Sequence, residues 1–106
     1  SKRSIMTNVA CNNSSKVIIT TDNPRSEKPE DIFYDMQSGL NLNQKNKILV
    51  ISDRKQAIRT ASKLAKSDDI VLVAGKGHEK FQEINGIKVP FDDMQELKQS
   101  LNIMLN

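Results

Sequence analysis

Three runs of consecutive β-favouring apolar residues, spaced by helical patterns and each closed by a polar loop, restrict this chain to few folds. They are Val17-Ile18-Ile19-Thr20, Ile48-Leu49-Val50-Ile51 and Ile70-Val71-Leu72-Val73-Ala74. A run without polar alternation, such as the first, suits a strand buried on both faces, the pattern of a parallel sheet. Between the runs the apolar period lengthens to that of a helix. Ile32, Phe33 and Met36 form one such face; Ala57, Ile58, Ala61, Leu64 and Ala65 form the next. Pro29 fits a first helical turn, Glu30 and Asp31 suit the positive end of its dipole, and Gly39 suits its end. Asp53 with Gln56 has the spacing of a capping box, with Arg54 expected as an exposed residue beside the cap.

The remaining segments complete the order. Ile5, Met6, Val9 and Ala10 predict a helix over 2–12, and the polar, Asn-rich stretch from Leu40 to Asn46 predicts a surface loop. Asn85-Gly86 between two short β-favouring runs, Phe81 to Ile84 and Ile87 to Pro90, predicts a hairpin with a type I′ turn. Phe91-Asp92-Asp93 reads as a strand-to-helix junction. A last helix begins near Asp92 or Asp93 and carries Met94, Leu97, Leu101 and Met104 or Leu105, with Met36, Met94 and Met104 expected in the core. The expected class is α/β: a Rossmann-like, mostly parallel sheet flanked by helices, with an antiparallel hairpin at its edge. Such sheets usually open on a strand and this chain opens on a helix, so a first strand is expected to lie upstream.

At 106 residues the chain has room for one core. No run approaches the roughly 18–20 apolar residues of a membrane span, and no secretory signal pattern is present. The net charge of +3 is spread along the chain and aromatics make up 4% of it, so neither a basic stripe nor a stacking platform marks a nucleic-acid surface. Cys11 has no partner for an internal disulfide, which suits the cytoplasm. One Cys and one His do not make a structural zinc site.

Two motifs follow the strand-like runs. Asp22-Asn23-Pro24-Arg25 follows the first run, and Gly75-Lys76-Gly77-His78-Glu79 follows the third. In parallel sheets ligands sit outside the carboxyl ends of the strands, where both motifs would fall. Asp, Asn and Pro are also ordinary turn formers. The alternative is that Pro24 fixes the backbone so that Asn23 and Arg25 address one carboxylate, which a guanidinium binds bidentately. The second motif is not a phosphate loop of the Walker type, since the required earlier Gly and following Ser or Thr are absent. Nor is it a dinucleotide fingerprint, because Lys80 occupies the third glycine position and a strand follows. His78 is better suited to shaping the loop than to acting as a base. Lys76 is either solvated or beside a phosphate, and Glu79 either pairs with a surface Lys or receives an ammonium.

These motifs carry a family resemblance. Lys2-Arg3 to Ala10, Val17 to Arg25 with Glu27 and Pro29, Ala57-Ile58, Val71 to Glu79 with Gln82, and Phe91-Asp92-Asp93 resemble the C-terminal domain of the Mur ligases, in the meso-diaminopimelate-adding branch. Asp-Asn-Pro-Arg is the specific part of the match, because lysine-adding relatives differ there; the second motif is shared more widely. The resemblance implies that residues 1–106 form such a domain of a bacterial, cytoplasmic, ATP-dependent ligase of peptidoglycan synthesis. That enzyme joins the amine of meso-diaminopimelate to the D-glutamate carboxylate of UDP-N-acetylmuramoyl-L-alanyl-D-glutamate through an acyl phosphate. By position, Asp22, Asn23, Pro24, Arg25, Gly75 and Glu79 would bind diaminopimelate, with Lys76, Gly77 and His78 in support.

The resemblance also implies that ATP, magnesium and the muramoyl dipeptide are held by a central domain outside this chain. No catalytic or metal-ligating residue is then expected here, no cofactor bound by the chain alone, and no nucleic-acid or membrane partner. The family's Gly-Asp-Arg-Asp loop before Lys2-Arg3 is absent, so a domain truncated on its N-terminal side and inactive alone is expected. A stand-alone amino-acid-binding or regulatory module of the same fold is the alternative, as is a ligase domain for another amino acid or one like folylpolyglutamate synthase.

Overall fold

The chain begins with helix α1 (Lys2–Asn13), then strand β1 (Val17–Ile19), and crosses through α2 (Pro29–Gln37) and the short α3 (Leu42–Lys45) to β2 (Ile48–Val50). In this computed structural model, residues 2–23, 26–75 and 79–105 are described. β1 and β2 pair in parallel, Val17 opposite Ile48 and Ile19 opposite Val50. The pairing continues past the strand ends, where the Ile51 N–H donates to the Ile19 carbonyl at 2.9 Å. Helix α4 (Arg54–Leu64) follows, then the antiparallel hairpin β3 (Phe81–Ile84) and β4 (Ile87–Pro90), and α5 (Asp93–Leu105). The mixture of helices, a parallel pair and a hairpin is the α/β class expected.

Local chemistry sets the element ends. Asn85 at φ 51° and Gly86 at φ 79° supply the two positive-φ positions of the hairpin turn. Asp53 caps α4 by accepting from the Gln56 N–H at 3.2 Å. The reciprocal capping box forms elsewhere, at Asn41 and Gln44, with bonds of 2.8 and 3.0 Å. That box turns the expected Asn-rich loop into α3. Gln44 also donates to Asn8 and Asn12, and Lys47 Nζ to the Cys11 carbonyl, so this polar segment is tied to α1.

Other expectations are corrected. Residues 70–74 form no ladder among the described residues, and the hairpin makes its own two-stranded sheet instead of edging the parallel one. Ile70 and Leu72 are 94% and 85% exposed, while Val71 and Val73 are half-buried. The segment alternates as a strand does, yet an apolar run becomes a strand only where a neighbouring backbone pairs with it. On α1 the buried residues are Thr7 and Cys11, and Ile5, Met6 and Val9 are exposed. Met94 is 66% exposed, so it is not core.

The core consists of Cys11, Ile19, Ile32, Phe33, Leu40, Ala57 and Ile58. It is thin: the molecule measures 40 × 36 × 19 Å. Its radius of gyration of 13.9 Å exceeds the about 13 Å of a compact chain this long. With so little interior, each core residue matters. Ile19→Ala should lower unfolding stability by about 2–5 kcal/mol, read by urea denaturation.

The link from α1 to α2 is electrostatic as well as apolar. Arg3 donates to Glu27 at 2.7 and 3.1 Å and to Asp35 at 3.2 Å. The hydrogen bond from Arg3, then its charge, hold the Glu27 carboxyl below its ordinary value of 4.5, and the same bond raises Arg3. Since the folded-state value is the lower, this stabilisation is present above that ordinary value and is lost as pH falls through the folded value. Glu27→Gln should therefore flatten the acid limb of the stability profile below pH 4.5 and leave the neutral limb nearly parallel, in urea titrations at stepped pH.

Candidate functional site: two loops beside the end of β1

β1 ends on Thr20-Thr21, and both hydroxyls donate to the Ser52 carbonyl beyond β2, at 3.3 and 2.9 Å. This places Asp22 and Asn23, the start of the first motif, at the carboxyl edge of the parallel pair. β3 then grips them from the side. Gln82 Nε2 donates to the Asp22 carbonyl at 2.8 Å and lies 3.4 Å from Thr21 Oγ1, while the Glu83 N–H donates to Asn23 Oδ1 at 2.9 Å. The Asn23 side chain is thereby oriented, with its carbonyl oxygen committed to β3.

The second motif arrives beside the first. Gly75 has φ +114°, a conformation that L side chains rarely adopt, and a Cβ built on it would lie 3.8 Å from Asp22 Oδ2. Glu79 is half-buried two residues before β3. The structure thus brings Gly75 close to Asp22, with Asn23 next along the chain and bonded to β3; Pro24, Arg25, Lys76, Gly77 and His78 lie outside the described residues. Clefts of about 370 and 270 Å³ open elsewhere, and neither is lined by a described motif residue. Among the described residues no group of three or more His, Cys, Asp or Glu is placed to hold a metal ion, and no helix is long and apolar enough to cross a membrane.

One buried residue runs against the sequence expectation. Arg54, expected to be exposed, is 3% exposed. Its Nε and Nη2 donate to Asp93 Oδ1 and Oδ2 at 2.7 and 2.6 Å, Nη1 donates to the Thr21 carbonyl at 3.1 Å, and Nη2 to the Ala74 carbonyl at 3.1 Å. Asp93, expected merely to mark a junction, is its counter-ion. A signal was available: a cation at the first position of a helix faces the positive end of the dipole, an unfavourable place unless a partner holds it there.

An α/β domain with a polar loop at the end of a parallel strand is the kind of module that can bind a small ligand at its sheet edge. This chain belongs to the Mur ligase family: residues 1–77 match its glutamate ligase domain. It is 53% identical over 102 residues to UDP-N-acetylmuramoyl-L-alanyl-D-glutamate–2,6-diaminopimelate ligase of Bacteroides fragilis, covering 96% of this chain and 21% of that protein. The enzyme of the same name from Aquifex aeolicus is 44% identical over 100 residues, covering 94% of the chain and 20% of the relative. A solved structure of such a ligase superposes with a TM-score of 0.91 at 42% identity, over 99% of this chain and 21% of that one. The chain thus spans about a fifth of the length of the relatives it matches.

Gly75 should tolerate substitution poorly. Gly75→Ala forces a side chain into a positive-φ conformation, which should destabilise the loop by more than about 1 kcal/mol. Thermal unfolding together with amide shifts at Asp22 and Asn23 would report it.

Proposed function

We propose that residues 1–106 act as the C-terminal, amino-acid-recognising domain of an ATP-dependent ligase of the MurE type. The whole enzyme would work in the cytoplasm, joining meso-diaminopimelate to UDP-N-acetylmuramoyl-L-alanyl-D-glutamate in peptidoglycan synthesis. The observation that carries this reading is the approach of Gly75 to Asp22 at the end of β1, which sets the tetrapeptide specific to the diaminopimelate-adding branch beside the more widely shared glycine motif. The names of the relatives support the same substrate pair.

In this reading the chain's residues bind and orient the distal end of diaminopimelate, a zwitterion. Arg25 and Asn23 receive its carboxylate, Asn23 through the amide nitrogen, because Asn23 Oδ1 accepts from the backbone of β3. Glu79 receives the ammonium, the Gly75 backbone closes the side next to Asp22, and Asp22 and Pro24 shape the loop. Lys76, Gly77 and His78 support the second loop. ATP and magnesium would supply carboxylate activation from the remainder of the enzyme, and the muramoyl dipeptide would enter from there too. Lysine lacks the distal carboxylate and would leave Arg25 desolvated and unmatched, at a cost of about 1–3 kcal/mol and more for a charged group.

In the full-length ligase, Arg25→Ala should raise the KM for meso-diaminopimelate roughly ten- to hundredfold and leave the KM for ATP unchanged. Steady-state kinetics with each substrate varied in turn would show it. Equal losses for both substrates would remove Arg25 from amino-acid recognition. Release of ADP driven equally well by lysine would remove diaminopimelate as the substrate.

A further inference from the structure

Arg54 joins four separate segments. It lies in the first turn of α4, its carboxylate partner Asp93 begins α5, and its other two acceptors are the carbonyls of Thr21 and Ala74. Those two carbonyls belong to the residues immediately before the two motifs: Thr21 precedes Asp22, and Ala74 precedes Gly75. One rigid guanidinium therefore fixes the distance between the loops at their roots. Its planar fork donates in several directions at once, a geometry that an ammonium cannot reproduce. Asp93 holds that fork through two charge-assisted bonds at 2.6–2.7 Å.

We propose that Arg54, held by Asp93, is a positioning residue for amino-acid recognition, setting the spacing of the Asp22-Asn23 loop against the Gly75 loop. It touches no substrate. Its effect is to keep two half-sites, contributed by loops 53 residues apart in sequence from Asp22 to Gly75, in one geometry. The proposal rests on the recognition role given to those loops above.

The test uses the full-length ligase with Arg54→Lys and, separately, Asp93→Asn. Misplacement of a binding group by about 1 Å costs up to about a hundredfold, so Arg54→Lys should raise the KM for meso-diaminopimelate ten- to hundredfold and leave the KM for ATP unchanged. Hydrogen exchange followed by mass spectrometry should show faster exchange in peptides covering 20–23 and 72–75, with the α2 peptide unchanged. Asp93→Asn should move the same two peptides in the same direction, to a smaller extent. A general rise in exchange across the domain, or equal rises in both KM values, would reduce the pair to a structural bridge and overturn the proposal. So would unchanged exchange at both loops. If the ligase consumes an amino acid other than diaminopimelate, the functional reading fails while the exchange result still decides the clamp.

Discussion

A buried cation must be neutralised where it stands, and the strand edge of this domain is arranged around that requirement. Arg54 is surrounded by one carboxylate and two backbone carbonyls, so its charge and its N–H groups are met from α5, from the end of β1 and from the segment before Gly75. Removing one partner of such a pair costs about 3–5 kcal/mol, because the other charge is left uncompensated. That penalty makes the arrangement cooperative: moving α5 or either loop root would take from Arg54 one of the groups that meet its charge and its N–H donors.

The need for such ties follows from the sheet. In a many-stranded parallel sheet, ladders on both sides hold each strand end in place. Here β1 pairs with β2 and the hairpin pairs with itself. Side chains take over the lateral restraint: Arg54 on the Thr21 and Ala74 carbonyls, Gln82 on the Asp22 carbonyl, Asn23 on the Glu83 amide, and two threonine hydroxyls on Ser52. These bonds gather at the roots of the motifs. The rest of the domain is held by core packing and by surface ties such as Arg3 with Glu27, which are solvated and individually weak.

What could be read in the residues, and what could not, divides along the same line. The helix from Pro29, the turn at Asn85-Gly86 and the cap at Asp53 depend on neighbours in sequence, and their positions were legible to within a residue or two. α3 was missed because Asn41 and Gln44 look like loop composition until their reciprocal bonds are counted as a capping box. The run at 70–74 has strand propensity without a partner, a nonlocal condition that periodicity does not contain. The apolar positions of α1 gave the right period and the wrong buried face. Of the proposed site, Asp22, Asn23 and Gly75 were marked out by the place of their loops after apolar runs. Arg54 and Asp93 were not, because an Asp-Arg pair at a helix start has an ordinary capping explanation and its counter-ion lies 39 residues away.

The flatness of the domain bears on how discrimination works in the proposed ligase. A body 19 Å thick has no interior in which to enclose an amino acid, and Gly75 at the meeting point of the loops is itself exposed. Yet rejection of a substrate lacking a carboxylate grows with desolvation of the group that would have met it. The walls that exclude water must then come from the other four-fifths of an enzyme the size of the relatives. In the proposed arrangement this domain would contribute placement: two loop roots already held at a set spacing, which lowers the cost of ordering them when the amino acid arrives. A clamp at the roots suits that task, because Arg54 bonds the backbone carbonyls of Thr21 and Ala74 and so sets the spacing without using a motif side chain.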